Sequence, residues 1–269
     1  MSDRFPTFYL SHGGGPWPYM DEEARRPYAR LESALKELPR LLPRRPEAIL
    51  VVSGHWEEKE FAVMSDAAPA MIYDYGGFPE ALYHIRYPAA GSPRIAARTL
   101  SLIEHAGLAA RSSAGRGFDH GTYAILAVTH PRADVPVFQV SLRADLDPQA
   151  HLRLGRALAP LRDEGVLIIG SGSSYHNLRR FFGPRGRRED SVRFDAWLGQ
   201  TLVESAPDER TRRLIEWERA PAAREAHPRE EHLLPLHVAV GAAEEEPGSV
   251  AYREDDFLGS ITLSSYRFG

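Results

Sequence analysis

Residues 48–54 have the sequence AILVVSG and lead directly into His55. A short apolar run that ends in small residues is typical of a strand buried on both faces of a parallel sheet. Two other runs share this pattern: TFYLS at 7–11 precedes His12, and VLIIGSGSSY at 166–175 precedes His176. Because open α/β sheets bind ligands at the carboxyl ends of parallel strands, we expect these three imidazoles at one sheet edge.

The rest of the chain alternates between helical and strand patterns. Apolar residues at helical spacing predict helices over about 21–42, 93–106, 120–128, 148–162, 191–204 and 208–217, with another that begins near Pro235. Short apolar runs predict further strands at 61–64, 135–142 and 257–263, whereas residues 66–92 and the basic run at 183–188 predict loops. This alternation predicts an α/β protein with a single domain over residues 1–269, in which helices flank both faces of a central, mostly parallel sheet.

Composition narrows the classes of function. The chain has 269 residues, of which 43% are hydrophobic and 26% charged, and this excludes a disordered protein. A net charge of -4 argues against a nucleic-acid partner. The absence of cysteine excludes thiolate metal sites, so any metal must bind to His, Asp, Glu or water. No leader-like or membrane-spanning apolar stretch is visible, which predicts a cytoplasmic protein without membrane contact.

His12 and His176 lie in small-residue segments that leave several interpretations open. The glycines of SHGGG at 11–15 let the main chain approach a bound metal or phosphate, or simply form a turn. The phosphate-loop pattern GxxxxGK[ST] is absent. Ser171 and Ser173 suggest an anion nest or a nucleophilic serine, but GSGS at 170–173 does not fit the G-x-S-x-G elbow.

Two other histidines lie next to carboxylates at predicted helix starts. Asp119 is predicted to be an N-cap, which would place His120 in the first helical turn as an acid, base or hydrogen-bond donor. The run EEH at 230–232 offers carboxylate and imidazole together, or an acidic helix start favoured by the helix dipole. The remaining histidines are predicted to be surface or structural residues: His84, His105, His130, His151, His227 and His237.

Taken together, these segments resemble the class III extradiol ring-cleavage dioxygenases, the LigB-type superfamily, and within it the 4,5-DOPA dioxygenase branch. The matching pieces occur in the family's order over nearly the whole chain: SHGG at 11–14, VVSGHW at 51–56, YGGFP at 75–79, LY at 82–83, YPA at 87–89, GFDHG at 117–121, HNL at 176–178 and EHLLPL at 231–236.

The resemblance implies a non-haem Fe(II) enzyme that opens a catechol-type, DOPA-like ring with O2 and yields a muconic-semialdehyde product. It implies His12, His55 and His232 as metal ligands, with His120 and His176 as catalytic residues beside the metal. The wider superfamily uses two histidines and one carboxylate. Histidine at position 232 departs from that set, although Glu230 or Glu231 could still supply a carboxylate.

Several points stay open on the sequence. An all-histidine site also suits Zn(II), and His176 could be either a fourth ligand or a base. We predict that Tyr175, Phe78 and Tyr83 line the ring pocket and that Arg179 reaches a substrate carboxylate. The oligomeric state is open and includes a homo-oligomer. A zinc-dependent hydrolase using the same histidines and a non-catalytic binding protein are the alternative functions.

Overall fold

The computed structural model describes residues 4–181 and 187–269. Within these ranges, eight strands form one sheet in the order β4-β3-β5-β2-β6-β1-β8-β7. Their bounds are β1 (Thr7–Ser11), β2 (Ala48–Glu58), β3 (Phe61–Met64), β4 (Ala110–Ser113), β5 (Val137–Arg143), β6 (Val166–Gly172), β7 (Gly248–Phe257) and β8 (Ile261–Phe268).

The centre of the sheet is parallel and its edges are mixed. Strands β5, β2, β6 and β1 run parallel to one another, and all four are almost completely buried along their apolar runs. At one edge β8 joins β1 antiparallel and β7 completes a hairpin, while at the other edge β3 pairs antiparallel with β5 and parallel with β4. The predicted mostly parallel α/β sheet is therefore confirmed.

Helices cover both faces of this sheet. On one face α4 packs on β2 and β6 and contacts α2, and on the other face α10 packs on β6, β1 and β2 and contacts α5. The helices of the described residues are α1 (Glu22–Arg25), α2 (Ala29–Glu37), α3 (Pro93–His105), α4 (His120–Thr129), α5 (Pro148–Leu158), α6 (Leu178–Phe181), α7 (Arg187–Gly199), α8 (Pro207–Ile215), α9 (Ala223–Ala226) and α10 (Leu234–Gly241).

Glycines let the start of α10 lie directly on the sheet. A Cβ at Gly170 of β6 would overlap the carbonyl of Pro235, and a Cβ at Gly172 would overlap the carbonyl of His232. On the neighbouring strand, a Cβ at Gly54 would lie 3.0 Å from the Glu231 carbonyl oxygen. The small residues that end the apolar runs therefore make room for the main chain at 231–235.

The structure corrects several predicted elements. The helix expected over 21–42 is divided into α1, α2 and short 3-10 turns that contain Pro27 and Pro39, because proline removes a backbone donor from a helix. A single strand over 257–263 is wrong, since residues 258–260 form the turn between β7 and β8, with Gly259 at φ +83°. Strands β4 and β7 were missed because their sequences are largely polar.

The predicted basic loop at 183–188 is only partly described. Positions 183–186 lie outside the described residues, and positions 187–188 belong to α7 rather than to a loop. No helix in the described ranges combines the length and the apolar character that crossing a bilayer requires.

Candidate metal centre

Three imidazoles converge at the carboxyl edge of the central strands. His12 follows β1, His55 lies in the last part of β2, and His232 precedes α10. Nε2 of His55 lies 3.3 Å from Nε2 of His12 and 3.1 Å from Nε2 of His232. Nitrogens that bind one ion at about 2.1 Å, with angles of roughly 90–110°, are about 3.0–3.4 Å apart. The three side chains therefore fit a single divalent transition metal.

The main chain on both sides of this cluster is held by hydrogen bonds. The carbonyl of His12 accepts from Nε1 of Trp17 at 2.7 Å, and its N–H donates to Gly172 at 3.1 Å. The carbonyl of His232 accepts from the Tyr9 hydroxyl at 2.8 Å and from the N–H of Ser173 at 3.1 Å. Two imidazoles that are far apart in the chain are thus held beside the ends of the neighbouring strands β1 and β6.

Burial keeps the three imidazoles in the form that binds metals. Burial lowers the pKa of His12, His55 and His232 well below 6.5, and the neighbouring imidazoles lower each pKa further. Neutral imidazole is the ligand form, so protons do not compete strongly for these nitrogens near neutral pH.

One carboxylate, that of Asp74, joins His55 to His120, and we call these two histidines with their shared carboxylate the Asp74 pair. Asp74 lies in the long loop before α3. Its Oδ1 accepts from Nδ1 of His120 at 2.9 Å and from the N–H of His120 at 3.0 Å, and its Oδ2 lies 3.3 Å from Nδ1 of His55. Burial raises the pKa of Asp74, but the hydrogen bonds from His120 outweigh burial, and that pKa lies below its ordinary value.

A second carboxylate, that of Glu231, joins His232 to His176, and we call these two histidines with their shared carboxylate the Glu231 pair. Oε1 of Glu231 lies 2.9 Å from Nδ1 of His232 and 3.2 Å from Nδ1 of His176. The two rings stack with their centroids 3.4 Å apart and their planes at 15°. Arg229 binds Glu57 through two 2.5 Å hydrogen bonds and lies 3.5 Å from Oε2 of Glu231.

The two carboxylates favour one tautomer for each histidine that they contact. A carboxylate on Nδ1 places the proton there and leaves the Nε2 lone pair for a metal, which is a common arrangement around histidine ligands. His55 and His232 each have such a carboxylate. Glu231 therefore lies behind His232 rather than among the three converging nitrogens, and Glu230 pairs with Arg224 at 2.6 Å.

A cavity of about 310 Å³ opens onto this cluster. The imidazoles that line it are His12, His55, His120 and His176, together with Asp74. The remaining wall consists of the glycine turn and mostly apolar side chains: Gly13, Gly14, Gly15, Tyr28, Ser173, Leu178, Phe181, Phe257, Leu258 and Leu263. Clustered histidines beside a largely apolar remainder of the wall suit an aromatic ligand that carries oxygens on one side.

The four predicted substrate-binding residues are absent from this lining. Tyr175 is 1% exposed and its ring contacts Phe181 at 5.9 Å. The ring of Phe78 packs against Gly15, which lines the cavity. The ring of Tyr83 packs against Tyr75, with the ring centroids 5.3 Å apart. Arg179 is exposed on α6.

The serines of β6 and its exit are engaged with the main chain. The Ser171 hydroxyl donates to Gly121 at 2.5 Å, and the Ser173 hydroxyl donates to Tyr175 at 2.7 Å. Neither hydroxyl donates to a histidine, so the structure does not favour a nucleophilic serine.

Asp119 is the predicted N-cap, and the six histidines outside the site are surface or structural residues as predicted. Oδ1 of Asp119 caps α4 by accepting from the N–H of Thr122 at 3.0 Å. His84 and His105 are exposed and His130 is half-buried, whereas three histidines are buried against main-chain carbonyls: His151, His227 and His237.

Sequence reasoning missed Asp74 and the apolar wall of the cavity. Asp74 lies in the loop over 66–92, directly before the YGGFP segment at 75–79. The length of that loop was a signal of function, but the pattern did not show which side chain would reach His55 and His120. Tyr28 lies in a predicted helix, and Phe257 and Leu258 lie in a predicted strand, so their patterns indicate packing and not a site.

Comparisons with known proteins identify the family of this chain. The family model described as the catalytic LigB subunit of aromatic ring-opening dioxygenase matches residues 6–267. The 4,5-DOPA dioxygenase extradiol of Beta vulgaris is 37% identical over 265 residues, which cover 97% of this chain and 96% of the relative. The protein of the same name from Escherichia coli K12 is 34% identical over 271 residues, which cover 100% of this chain and 96% of the relative.

A solved structure shows the same fold. The crystal structure of an uncharacterized protein from Escherichia coli K12 superposes with a TM-score of 0.78 at 30% sequence identity, covering 99% of this chain and 100% of the other. The family match spans nearly the whole chain, and the relatives exceed 30% identity over almost their full length. The chain therefore belongs to the LigB family of extradiol aromatic ring-opening dioxygenases.

Proposed function

We propose that this protein cleaves a catechol ring beside the diol, with His12, His55 and His232 holding Fe(II) in the active enzyme. The observation that carries the proposal is the convergence of three Nε2 atoms at the edge of a cavity that His120 and His176 also line. DOPA enters as the first substrate to assay because relatives carry its name. O2 is the second substrate, and the product is a yellow muconic semialdehyde.

The donor set fits the proposed metal. Bound Fe(II) would supply the Lewis acidity that lowers a phenol pKa and the redox chemistry that O2 requires. Zn(II) fits the same three imidazoles, so the metal content of a purified sample does not by itself identify the working metal.

The chain's own residues position and deprotonate the catechol. Glu231 engages Nδ1 of His176, and Nε2 is left to accept a hydroxyl proton from the diol. Asp74 engages Nδ1 of His120, and Nε2 is left to hydrogen-bond the bound substrate or O2. Because His176 is not part of the converging group of His12, His55 and His232, we favour a base over a fourth ligand for this residue.

The proposed ring contacts involve Phe78, Tyr83, Tyr175 and Arg179. Phe78 has the strongest support, because its ring packs on the glycine turn that forms the cavity wall. Tyr83 and Tyr175 would act from behind that wall, by packing on Tyr75 and Phe181. Arg179 would have to turn from its exposed position on α6 to reach a carboxylate.

The test is oxygen uptake after anaerobic loading with Fe(II), using DOPA and a panel of catechols, followed by absorbance of the yellow product. We expect uptake coupled to the colour with Fe(II) and none with Zn(II). Fully loaded protein that consumes no oxygen with any catechol would contradict the proposal. Ester or amide hydrolysis by the zinc form would then identify a zinc hydrolase.

A further inference from the structure

The turn between β7 and β8 places a leucine in an unfavourable conformation. Leu258 has φ +49° and the following Gly259 has φ +83°. Glycine, asparagine and aspartate are the usual residues at positive φ in such turns, because a branched side chain crowds the main chain there. Leucine at this position therefore contradicts the local preference of the turn.

A second leucine with positive φ shows what usually compensates such a conformation. Leu146 has φ +53°, but its side chain is only 6% exposed and packs in the main hydrophobic core. Leu258 is 36% exposed and gains much less from burial. Main-chain strain that the fold does not offset is found preferentially at functional sites.

The side chain of Leu258 lines the cavity that contains the histidines. The neighbouring wall comes from separate elements, with Phe257 and Leu263 on the β7–β8 hairpin and Leu178 and Phe181 on α6. Leu178 is 57% exposed, so two leucines from separate elements of the cavity wall stay open to water. Apolar side chains that remain exposed around a cavity mark a surface that a ligand covers.

We infer that Leu258 is a specificity-determining residue that contacts an apolar substituent on the catechol ring. The inference rests on the proposed function and deepens it. The diol lies at the histidine end of the cavity, and the part of the ring farthest from the diol meets the wall of Leu258, Phe257 and Leu178. The substrate class is therefore a catechol with an alkyl, alkenyl or aryl substituent, which binds better than one with a charged side chain such as DOPA.

Binding to the zinc-loaded protein tests this inference without turnover. Calorimetry gives the Kd of catechol, 4-propylcatechol and DOPA for the unaltered chain, Leu258→Ala and Leu258→Asn. We expect 4-propylcatechol to bind the unaltered chain at least about tenfold more tightly than catechol or DOPA, as burial of a few methylenes implies. Both variants should lose most of that preference.

Thermal unfolding separates the side chain from the conformation of the turn. Leu258→Asn should raise Tm because asparagine tolerates positive φ, whereas Leu258→Ala keeps the strained geometry and should not. Ala133 has the same φ of +49° and does not line the cavity. As a matched control, Ala133→Asn should leave the ratio of Kd values and the activity unchanged.

The outcomes are distinguishable from a failure of the proposed function. Tight binding of 4-propylcatechol without oxygen uptake by the Fe(II) form would support the apolar wall and overturn only ring cleavage. Turnover of catechols with no preference for the propyl group, or a preference that survives both substitutions, would overturn only the role of Leu258. No binding of any catechol would overturn both.

Discussion

The Asp74 pair and the Glu231 pair have the same chemistry but different construction. In each, one carboxylate joins Nδ1 of a proposed metal ligand to Nδ1 of a proposed catalytic imidazole. Glu231 is next to His232 in the chain, and the rings it joins are stacked 3.4 Å apart. Asp74 is 46 residues from His120, and the rings it joins are 4.0 Å apart and tilted by 50°. Both pairs therefore need a contact between distant parts of the chain, but only in the Glu231 pair does the carboxylate also adjoin one of its histidines in the sequence.

The largest expected effect comes from removing the metal-facing imidazole of either pair. His55→Ala and His232→Ala should both fail to retain Fe(II) through desalting, because two of three nitrogens hold a divalent ion poorly. Ring cleavage should fall below detection in both. Metal content by mass spectrometry and oxygen uptake measure the two losses.

The exposed His84 provides the control for this first test. His84→Ala should keep full metal content and activity, since its side chain is exposed and interacts with Glu80. If only one of the two site variants lost the metal, the pairs would not be equivalent and the three-nitrogen site would be wrong.

Removing the outer imidazole of each pair should have the next largest effect. His176→Ala and His120→Ala should keep the metal while kcat falls on the order of 10²–10⁴-fold, the usual contribution of a positioned acid or base. Steady-state kinetics and metal content on the same samples check this. Metal loss in His176→Ala would instead make that residue a fourth ligand.

The difference between the pairs also shows which parts of the fold and site the sequence predicts. The parallel central strands, the positions of His12, His55 and His176 after apolar runs, and the run EEH at 230–232 all depend on local patterns. The mostly parallel sheet was predictable because buried strands have a continuous apolar sequence. Strand β7 was not, since its burial is irregular and its sequence is largely polar.

Asp74 could not be found in the same way. Its partner His120 lies on α4, and only the folded path of the loop over 66–92 brings the two together. A lone aspartate in a loop has no periodic signal, whereas Glu231 is visible because it adjoins a histidine. The apolar wall is similar, because Leu178 and Leu258 come from elements that are distant in sequence.

Neutralising the carboxylates should have a moderate effect that separates the pairs. Glu231→Gln and Asp74→Asn should each weaken metal binding by about 10–100-fold, as loss of a carboxylate behind a ligand usually does. Asp74→Asn should also lower Tm more than Glu231→Gln, because Asp74 additionally accepts the main-chain N–H of His120 at the start of α4. Metal titrations and thermal unfolding measure the two effects.

An equal change of Tm in the two variants would remove this distinction. It would mean that the N–H of His120 gains nothing from the charge of Asp74. Unchanged metal affinity in either variant would show that its imidazole keeps the same tautomer without the carboxylate.

The smallest effect is expected from the arginine behind Glu231. Arg229 is 51% exposed and binds Glu57 more closely than Glu231, and exposed ion pairs contribute only about 0–1 kcal/mol. Arg229→Gln should therefore change metal affinity by less than about threefold, with a difference that shrinks as salt is added. Arg98→Gln, which removes another exposed arginine paired with Glu164, is the matched control. A tenfold loss specific to Arg229→Gln would show that Glu57 and Arg229 hold Glu231 in place, so that the Glu231 pair depends on its surface ion pairs as well as on its own histidines.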